Sequence, residues 1–178
     1  MFDHRLASQD DLPALKAVMD LAIERLQRRF LSPAEIAASR LIMGLDSQLI
    51  ADRTYFVLEA ERRIVACGGW SFRATLYGGD HSTHLREPAR LNPVRDAARV
   101  RAMYTHPDFA RRGAGRRILG LCEDAAGAAG FACVELMATL AGLPFYLACG
   151  YQEIEPVVSR TELGGVPLVR MGKGLPRS

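Results

Sequence analysis

The chain has 178 residues, of which 49% are hydrophobic and 24% are charged. Its 23 basic and 20 acidic side chains leave a net charge of +3, which does not favour a nucleic-acid-binding protein. A chain of about 150 residues buries roughly 68–70% of its surface on folding, so we expect one self-supporting domain over residues 1–178. The four cysteines form no Cys-x-x-Cys pair, and we therefore expect no metal site.

Hydropathy bears on the cellular location. No apolar run approaches the ~20 residues that cross a bilayer. The first five residues, Met-Phe-Asp-His-Arg, contain no apolar leader. We therefore expect a cytoplasmic protein without a membrane partner.

The first half of the chain begins with a short strand, continues with two helical patterns and then returns to strand patterns. Apolar residues recur at helical spacing after Asp11, and Ser32-Pro33-Ala34-Glu35 is typical of a helix start. Two β-forming runs flank Glu61-Arg62 and predict a hairpin. The elements predicted here are a strand over 2–7, helices over 10–28 and 33–43, strands over 54–60 and 63–73, and a loop over 76–96.

The second half alternates strands and helices. Its predicted elements are a strand over 98–105, a helix over 113–127, a strand over 131–138, a short helix over 143–149, and paired strands over 151–159 and 166–172. The last two strands are expected to turn around Gly164-Gly165. This order predicts one α/β domain with a mixed sheet and helices on its faces.

The most informative segment joins a predicted strand, a tight turn and a predicted helix between Arg99 and Leu119. The first turn of a helix has N–H groups without internal partners, and the helix dipole adds positive charge there. Gly113 and Gly115 let a ligand approach that backbone closely. Ile118 replaces the third glycine of a dinucleotide-binding motif, and no Gly-Lys-Ser/Thr of a P-loop occurs. The segment predicts a diphosphate site of another kind; an ordinary turn before a core helix is the alternative.

Two segments resemble motifs of the GNAT N-acetyltransferase superfamily. Residues 106–116 read His-Pro-Asp-Phe-Ala-Arg-Arg-Gly-Ala-Gly-Arg and resemble the family pattern Gln/Arg-x-x-Gly-x-Gly/Ala, with Ala110 at the Gln/Arg place. Residues 139–151 read Thr-Leu-Ala-Gly-Leu-Pro-Phe-Tyr-Leu-Ala-Cys-Gly-Tyr and are similar to Asn-x-x-Ala-x-x-Phe-Tyr-x-x-x-Gly-Phe/Tyr. Thr139 and Gly142 stand at the Asn and Ala places of that second pattern.

The resemblance implies a GNAT-like fold, with a mixed, mostly antiparallel sheet and helices on both faces. In this family two neighbouring strands splay apart and acetyl-CoA inserts between them. Acetyl-CoA is thus the implied co-substrate, and the backbone of Met103, Tyr104 and Thr105 is expected to bind its pantetheine arm as a further strand would. The other residues implied for coenzyme binding are Arg111, Arg112, Gly113, Ala114, Gly115, Arg116 and Thr139.

The resemblance also implies a catalytic role for Tyr146. Its place in the second motif puts the phenol near the thioester sulfur, where it would donate a proton or a hydrogen bond to the departing thiolate. A core aromatic beside Phe145 is the alternative. No covalent nucleophile stands out, which favours direct transfer to the acceptor.

The general base is less clearly marked. Several family members carry a glutamate on the strand before the pyrophosphate loop, but residues 99–103 contain no carboxylate. Glu135 on the next predicted strand is a candidate base, although its alignment is off by one residue and one residue reverses a strand side chain. Asp80, His81 and His84 are further candidates, and an ordinary salt-bridged carboxylate is the alternative for Glu135.

The acceptor is expected to bind among the first two helices and the 76–96 loop. The loop and the residues beside it offer Arg73, Tyr77, Asp80, His81, His84 and Arg86. Trp70 and Phe72 would line a pocket or pack in the core, and packing is favoured. The mixture suits a small polar or zwitterionic amine, and the primary amine of a peptide, a protein N-terminus or a protein side chain remains an alternative acceptor.

These observations predict an acetyl-CoA-dependent N-acetyltransferase. The alternative from another class is a non-catalytic acetyl-CoA-binding sensor, suggested by the missing strand carboxylate and by Ala110. Nucleic-acid association through the arginines ranks third. A homodimer is a possible assembly because many family members form one.

Overall fold

The computed structural model describes residues 2–176. Its helices, in chain order, are α1 (Leu12–Leu26), α2 (Pro33–Ser39), α3 (Ser47–Ala51), α4 (Ala114–Ala128) and α5 (Leu143–Ala148). Its strands are β1 (Asp3–Leu6), β2 (Tyr55–Ala60), β3 (Arg63–Ser71), β4 (Ala98–Thr105), β5 (Cys133–Thr139), β6 (Gln152–Thr161) and β7 (Gly164–Gly174). The predicted domain limits include Met1, Arg177 and Ser178, which lie outside the described residues.

One seven-stranded sheet runs through the described residues in the order β1-β2-β3-β4-β5-β7-β6. Every neighbouring pair is antiparallel except β4 and β5, which run parallel. β4 and β5 pair only at Ala98–Val134 and Arg99–Glu135 and then diverge. The mixed, mostly antiparallel sheet predicted from the sequence is confirmed, and it has a gap at its centre.

Helices cover both faces of the sheet, as predicted. α4 packs on one face, where its buried Ile118 and Cys122 join strand residues such as Val134 in the larger core. α1 packs on the other face, where Leu15 and Met19 join a second core. No helix within residues 2–176 combines the length and the apolar composition needed to cross a bilayer.

The predicted helix over 33–43 ends early. α2 stops at Ser39, whose hydroxyl donates a hydrogen bond to the backbone oxygen of Ile36 at 2.7 Å. Such a local bond competes with the helical pattern. The chain then makes tight turns and starts the short helix α3, which the sequence analysis missed although its N-cap, Asp46, is a strong helix-start residue.

The sequence predicted the turn of the β2–β3 hairpin correctly but misplaced the turn of the β6–β7 hairpin. Glu61 and Arg62 connect β2 to β3 and both have positive φ, as a two-residue hairpin turn requires. The turn between β6 and β7 instead lies at Glu162 and Leu163, because β7 already begins at Gly164. The turn predicted at Gly164-Gly165 is therefore wrong by two residues.

A bulge bends β4 in its middle. Between the pairs Gly69–Arg101 and Cys67–Tyr104, two residues of β4 face Gly68 alone on β3. Ala102 has φ 51°, an uncommon value for alanine, and the Tyr55 hydroxyl donates to its carbonyl at 2.8 Å. Gly68 has to be glycine, because a Cβ there would overlap the side chains of Met103 and Ile118. Bulges of this kind re-aim a strand beside functional sites.

Candidate active site

A cleft of about 1020 Å³ opens where β4 and β5 separate. Residues 100–105 of β4 form one wall, and Leu136, Met137 and Thr139 of β5 face them. Beyond Arg99, the edge of β4 that faces β5 has no partner strand in the described chain. Its N–H and C=O groups are therefore free to bind an extended ligand as a sheet would.

One end of the cleft is closed by the turn before α4. In the described chain, no hydrogen bond is donated by the backbone N–H groups of residues 111–116. Arg111 (φ 65°) and Gly113 (φ 85°) both adopt the left-handed conformation, which bends the chain into the helix start. Unpaired amides at the N-terminus of a 15-residue helix form a site for an anionic group.

Gly115 leaves the approach to these amides open. A Cβ on this residue would stand 3.4 Å from the Phe145 ring and 3.7 Å from the Thr105 hydroxyl oxygen, inside the cleft. A larger side chain would therefore project between β4 and α5. This space beside the amides fits a phosphate-bearing ligand, because glycine exposes the backbone.

Not every residue implied for coenzyme binding lines the cleft. Eight of them do: Met103, Tyr104, Thr105, Arg111, Gly113, Gly115, Arg116 and Thr139. The Arg112 guanidinium instead lies 5.2 Å from the centre of the Phe109 ring, outside the cleft lining. The side chain of Ala114 is buried against the core, so only its backbone amide is available.

The segment that starts α5 positions Tyr146. The Gly142 N–H donates to the hydroxyl oxygen of Thr139 at 3.1 Å and to its carbonyl at 3.0 Å. Thr139 thereby holds the turn into α5. A Cβ at position 142 would stand 3.1 Å from the Tyr146 ring, so glycine lets that ring lie close to the turn.

Tyr146 lines the cleft with only 9% of its surface exposed. Its ring packs edge-on against Phe145 and Tyr151, with centroids 5.1 Å and 5.7 Å away. Burial raises the pKa of its hydroxyl above the ordinary value for a phenol. The group therefore remains protonated at neutral pH and can donate a hydrogen bond into the cleft.

Glu135 lies outside the cleft lining. Its Oε2 accepts hydrogen bonds from Arg99 at 2.8 Å and from Arg170 at 2.6 Å. It belongs to the last pair of residues at which β4 and β5 are still joined. The position of Glu135 therefore does not support the sequence prediction of a general base, because two arginines hold its carboxylate at the place where β4 and β5 are still paired.

The predicted acceptor residues are not brought together. Tyr77 lines the cleft. Arg73, Asp80 and Arg86 line a second, polar pocket of about 250 Å³, which shares Arg101 with the cleft. The His81 ring lies 2.9 Å from the Arg40 carbonyl.

The remaining candidates also lie outside the cleft lining. His84 belongs to a short 3-10 turn of the loop and is exposed. Trp70 and Phe72 pack together and against the larger core, so the favoured interpretation as packing residues is confirmed.

The sequence analysis missed Arg101, which lines the cleft although its side chain is only 3% exposed. Its Nη1 lies 2.6 Å from Oδ2 of the fully buried Asp46, and its Nη2 donates to the Gly78 carbonyl at 2.8 Å. Asp46 also accepts from Arg86 at 2.9 Å. Alternation along β4 could have indicated an inward-facing arginine. Its ion-pair partner Asp46, the N-cap of α3, is remote in sequence and could not be foreseen.

Comparisons with known proteins agree with this geometry. A family profile described as an acetyltransferase (GNAT) domain matches residues 51–153. No curated protein sequence matches the chain. Many solved structures have the same fold.

A GCN5-related N-acetyltransferase from Rhodopseudomonas palustris superimposes with a TM-score of 0.70 at 16% identity, over 97% of this chain and 95% of that chain. An N-acetyltransferase from Staphylococcus aureus Mu50 gives 0.65 at 13% identity, over 99% of both chains. The PaiA N-acetyltransferase from Thermoplasma acidophilum, in complex with coenzyme A, gives a TM-score of 0.61 at 14% identity, over 98% of this chain and 99% of that chain. These similarities concern the fold.

The splayed strands and the amide-rich turn are features of an acyl-group transferase fold, and the family profile covers more than half of the chain. The chain belongs to the GNAT acetyltransferase family. The enzyme class expected from the sequence, an N-acetyltransferase, is thereby confirmed.

Proposed function

We propose that this enzyme transfers the acetyl group of acetyl-CoA directly to a primary amine of a small molecule, a peptide or a protein N-terminus. The observation that carries the proposal is the gap between β4 and β5, with unpaired amides at one end and the Tyr146 side chain in its wall. A single ligand in this gap can place its diphosphate against the amides at one end and its thioester beside the Tyr146 phenol.

Acetyl-CoA binding is assigned mainly to backbone groups. The amides of residues 111–116 bind the diphosphate, and Arg111 and Arg116 add positive charge from the cleft wall. The free edge of β4 at Met103, Tyr104 and Thr105 binds the pantetheine arm. Because backbone groups do this work, Ala110 at the Gln/Arg place of the motif is compatible with binding.

Tyr146 serves the leaving group. When an amine nitrogen bonds to the thioester carbonyl carbon, the carbon–sulfur bond breaks and the sulfur departs with its electron pair. The Tyr146 hydroxyl donates a hydrogen bond to that sulfur, which stabilises the developing charge. The raised pKa of this hydroxyl keeps it protonated, so that it can donate this hydrogen bond while charge develops on the sulfur.

Calorimetric titration with acetyl-CoA and a thiol-release assay test the proposal together. Tyr146→Phe should lower kcat by roughly 100-fold, the lower end of the effect of a general acid, while the Kd for acetyl-CoA changes less than about twofold. Tyr151→Phe is the matched control, because Tyr151 is buried beside Tyr146 and lies outside the cleft lining.

Three results would count against the proposal. Absence of acetyl-CoA binding would refute it, and equal losses in the two tyrosine variants would reduce Tyr146 to a packing role. Saturable binding without thiol release for any amine would favour the non-catalytic sensor.

A further inference from the structure

The charged side chains in the cleft lining all carry positive charge. Five arginines line it in the described chain: Arg25, Arg29, Arg101, Arg111 and Arg116. No aspartate, glutamate, histidine or lysine belongs to the same lining. The site that holds the reacting amine therefore offers neither a counter-ion for an ammonium group nor a side chain that takes up its proton near neutral pH.

The carboxylates that pair with cleft-lining arginines, or that lie in the polar pocket which shares Arg101 with the cleft, are already engaged. Asp46 is fully buried and is shared by Arg101 and Arg86. Asp80 is bound by Arg86 and by the Ser47 N–H and hydroxyl. Each of these carboxylates faces an arginine, so a cationic ligand would have to displace an existing ion pair to reach one.

The arginines add no counter-ion for the acceptor. Arg25 pairs with Asp108 and Arg101 with Asp46, Arg111 and Arg116 face the proposed diphosphate, and Arg29 is exposed to solvent. An ammonium group taken from water into this lining would find no opposite charge, which favours its neutral form and lowers its pKa. The cleft thus favours an amine that is already weakly basic, and it disfavours a molecule that carries a second positive charge.

The part of the cleft away from the amide-rich turn is apolar. Ile42 and Leu168 form a small hydrophobic cluster there, and the partly buried Met43, Tyr77 and Met137 pack against it. All five residues line the cleft. A hydrocarbon group attached beside the amine would bury its surface against them, with a gain of about 25 cal/mol per Å².

We propose that the preferred acceptor is the α-amino group of an apolar residue that is followed by an amide carbonyl, without a second cationic group. An α-amino group of this kind has a pKa of about 7.7–8.0, whereas a lysine side chain has about 10.4. A substantial fraction of the α-amine is therefore neutral at physiological pH. The inference rests on the proposed transfer reaction and specifies its acceptor.

The reaction balances without a side-chain base. The neutral amine forms the carbon–nitrogen bond, the carbon–sulfur bond breaks, and one amine hydrogen leaves to water as a proton. The sulfur gains a proton in the product thiol. No oxidant, reductant or further reactant is required.

Thiol release at saturating acetyl-CoA tests this acceptor class. The acceptors are leucine amide, a tripeptide with N-terminal leucine, Nα-acetyl-lysine amide and putrescine. At neutral pH we expect kcat/KM for the two α-amines to exceed that for the other two by at least about 100-fold. The ratio of kcat/KM for leucine amide to kcat/KM for the tripeptide then distinguishes a small-molecule acceptor from a peptide terminus.

The pH profile adds a second readout. Without an enzyme base, kcat/KM should level off near the pKa of each acceptor, at about pH 8 for leucine amide, and should still rise at about pH 9.5 for Nα-acetyl-lysine amide. Levelling of both profiles at the same pH would reveal an enzyme base and overturn the inference.

A matched pair of variants tests the role of charge. Leu76 lines the cleft, is partly exposed and belongs to none of the core clusters. Leu76→Glu should raise kcat/KM for putrescine relative to leucine amide by about tenfold compared with Leu76→Gln, because only the first variant adds a counter-ion.

The outcomes separate this inference from the proposed function. Equal or better use of putrescine or Nα-acetyl-lysine amide by the unmodified enzyme would overturn the acceptor class and leave acetyl transfer intact. No thiol release with any of the four amines would also overturn the acceptor class, whereas absence of acetyl-CoA binding in calorimetry would refute the transfer reaction itself.

Discussion

The two halves of the cleft are built from different kinds of atoms. In the half proposed for the coenzyme, the groups free to bind are mainly backbone: the free edge of β4 and the amides of residues 111–116. In the half proposed for the acceptor, the wall consists of the end of α1, residues 42–44, residues 76–78 and Arg101. A backbone site needs only a particular chain path, whereas a side-chain pocket needs several separate segments to be held together.

The largest loss of stability is expected from a change in the buried ion pair between Arg101 and Asp46, which joins two segments of the proposed acceptor half. Arg101→Met removes one partner from the buried ion pair with Asp46. Breaking such a pair costs about 3–5 kcal/mol, and we expect about 3 kcal/mol because Arg86 still pairs with Asp46. The free energy of unfolding in urea measures the change.

The double variant Arg101→Met/Asp46→Asn is the control for that change. It removes both charges while asparagine keeps an oxygen to cap α3 and to accept from Arg86, so it should recover part of the lost stability. Affinity for acetyl-CoA should stay within about twofold in folded Arg101→Met. A loss of unfolding free energy below about 1 kcal/mol would show that the pair does not hold the acceptor half together.

The second prediction concerns the coenzyme half. Gly115→Leu places a side chain between Thr105 and Phe145, in the space beside the unpaired amides. Overpacking costs about 1–3 kcal/mol, so we expect affinity for acetyl-CoA to fall at least about 30-fold in calorimetry. Gly120→Leu is the matched control, because it makes the same change on α4 where a Cβ contacts nothing within 4 Å. Similar losses in both variants would contradict the assignment of this space to the coenzyme.

The smallest effect is expected at the border between the two halves. Glu135→Gln weakens the ion pairs with Arg99 and Arg170 but leaves the cleft lining unchanged. We expect a loss of about 1 kcal/mol in unfolding free energy and a kcat within about twofold of the unmodified enzyme. A kcat lowered by about 100-fold or more would restore Glu135 as the general base.

Local chemistry explains which features were predictable. The turn at Gly113 and Gly115 and the run Phe145-Tyr146 lie in two short segments. The glycine turn indicated a backbone anion site, and the resemblance of both segments to known motifs indicated the family. The helix starts at Ser32 and the strand at Ala98 were likewise placed correctly, because capping and β-forming residues act over a few positions.

Features that depend on distant partners were missed or misplaced. Glu135 was a reasonable base candidate until the register of β4 and β5 placed it against Arg99. Arg101 gained its importance from Asp46, which lies at the start of a short helix that the sequence patterns did not indicate. The predicted acceptor residues were divided between the cleft and a second pocket by the course of the 76–96 loop.

By itself, the sequence determined the family, the order of most elements and the position of the glycine turn before α4, because each depends on residues close together in the chain. Only the tertiary structure decided which charged groups line the cleft. That outcome depends on strand register and on ion pairs between segments far apart in sequence, and it leaves arginines in the cleft while the nearby carboxylates are paired outside its lining.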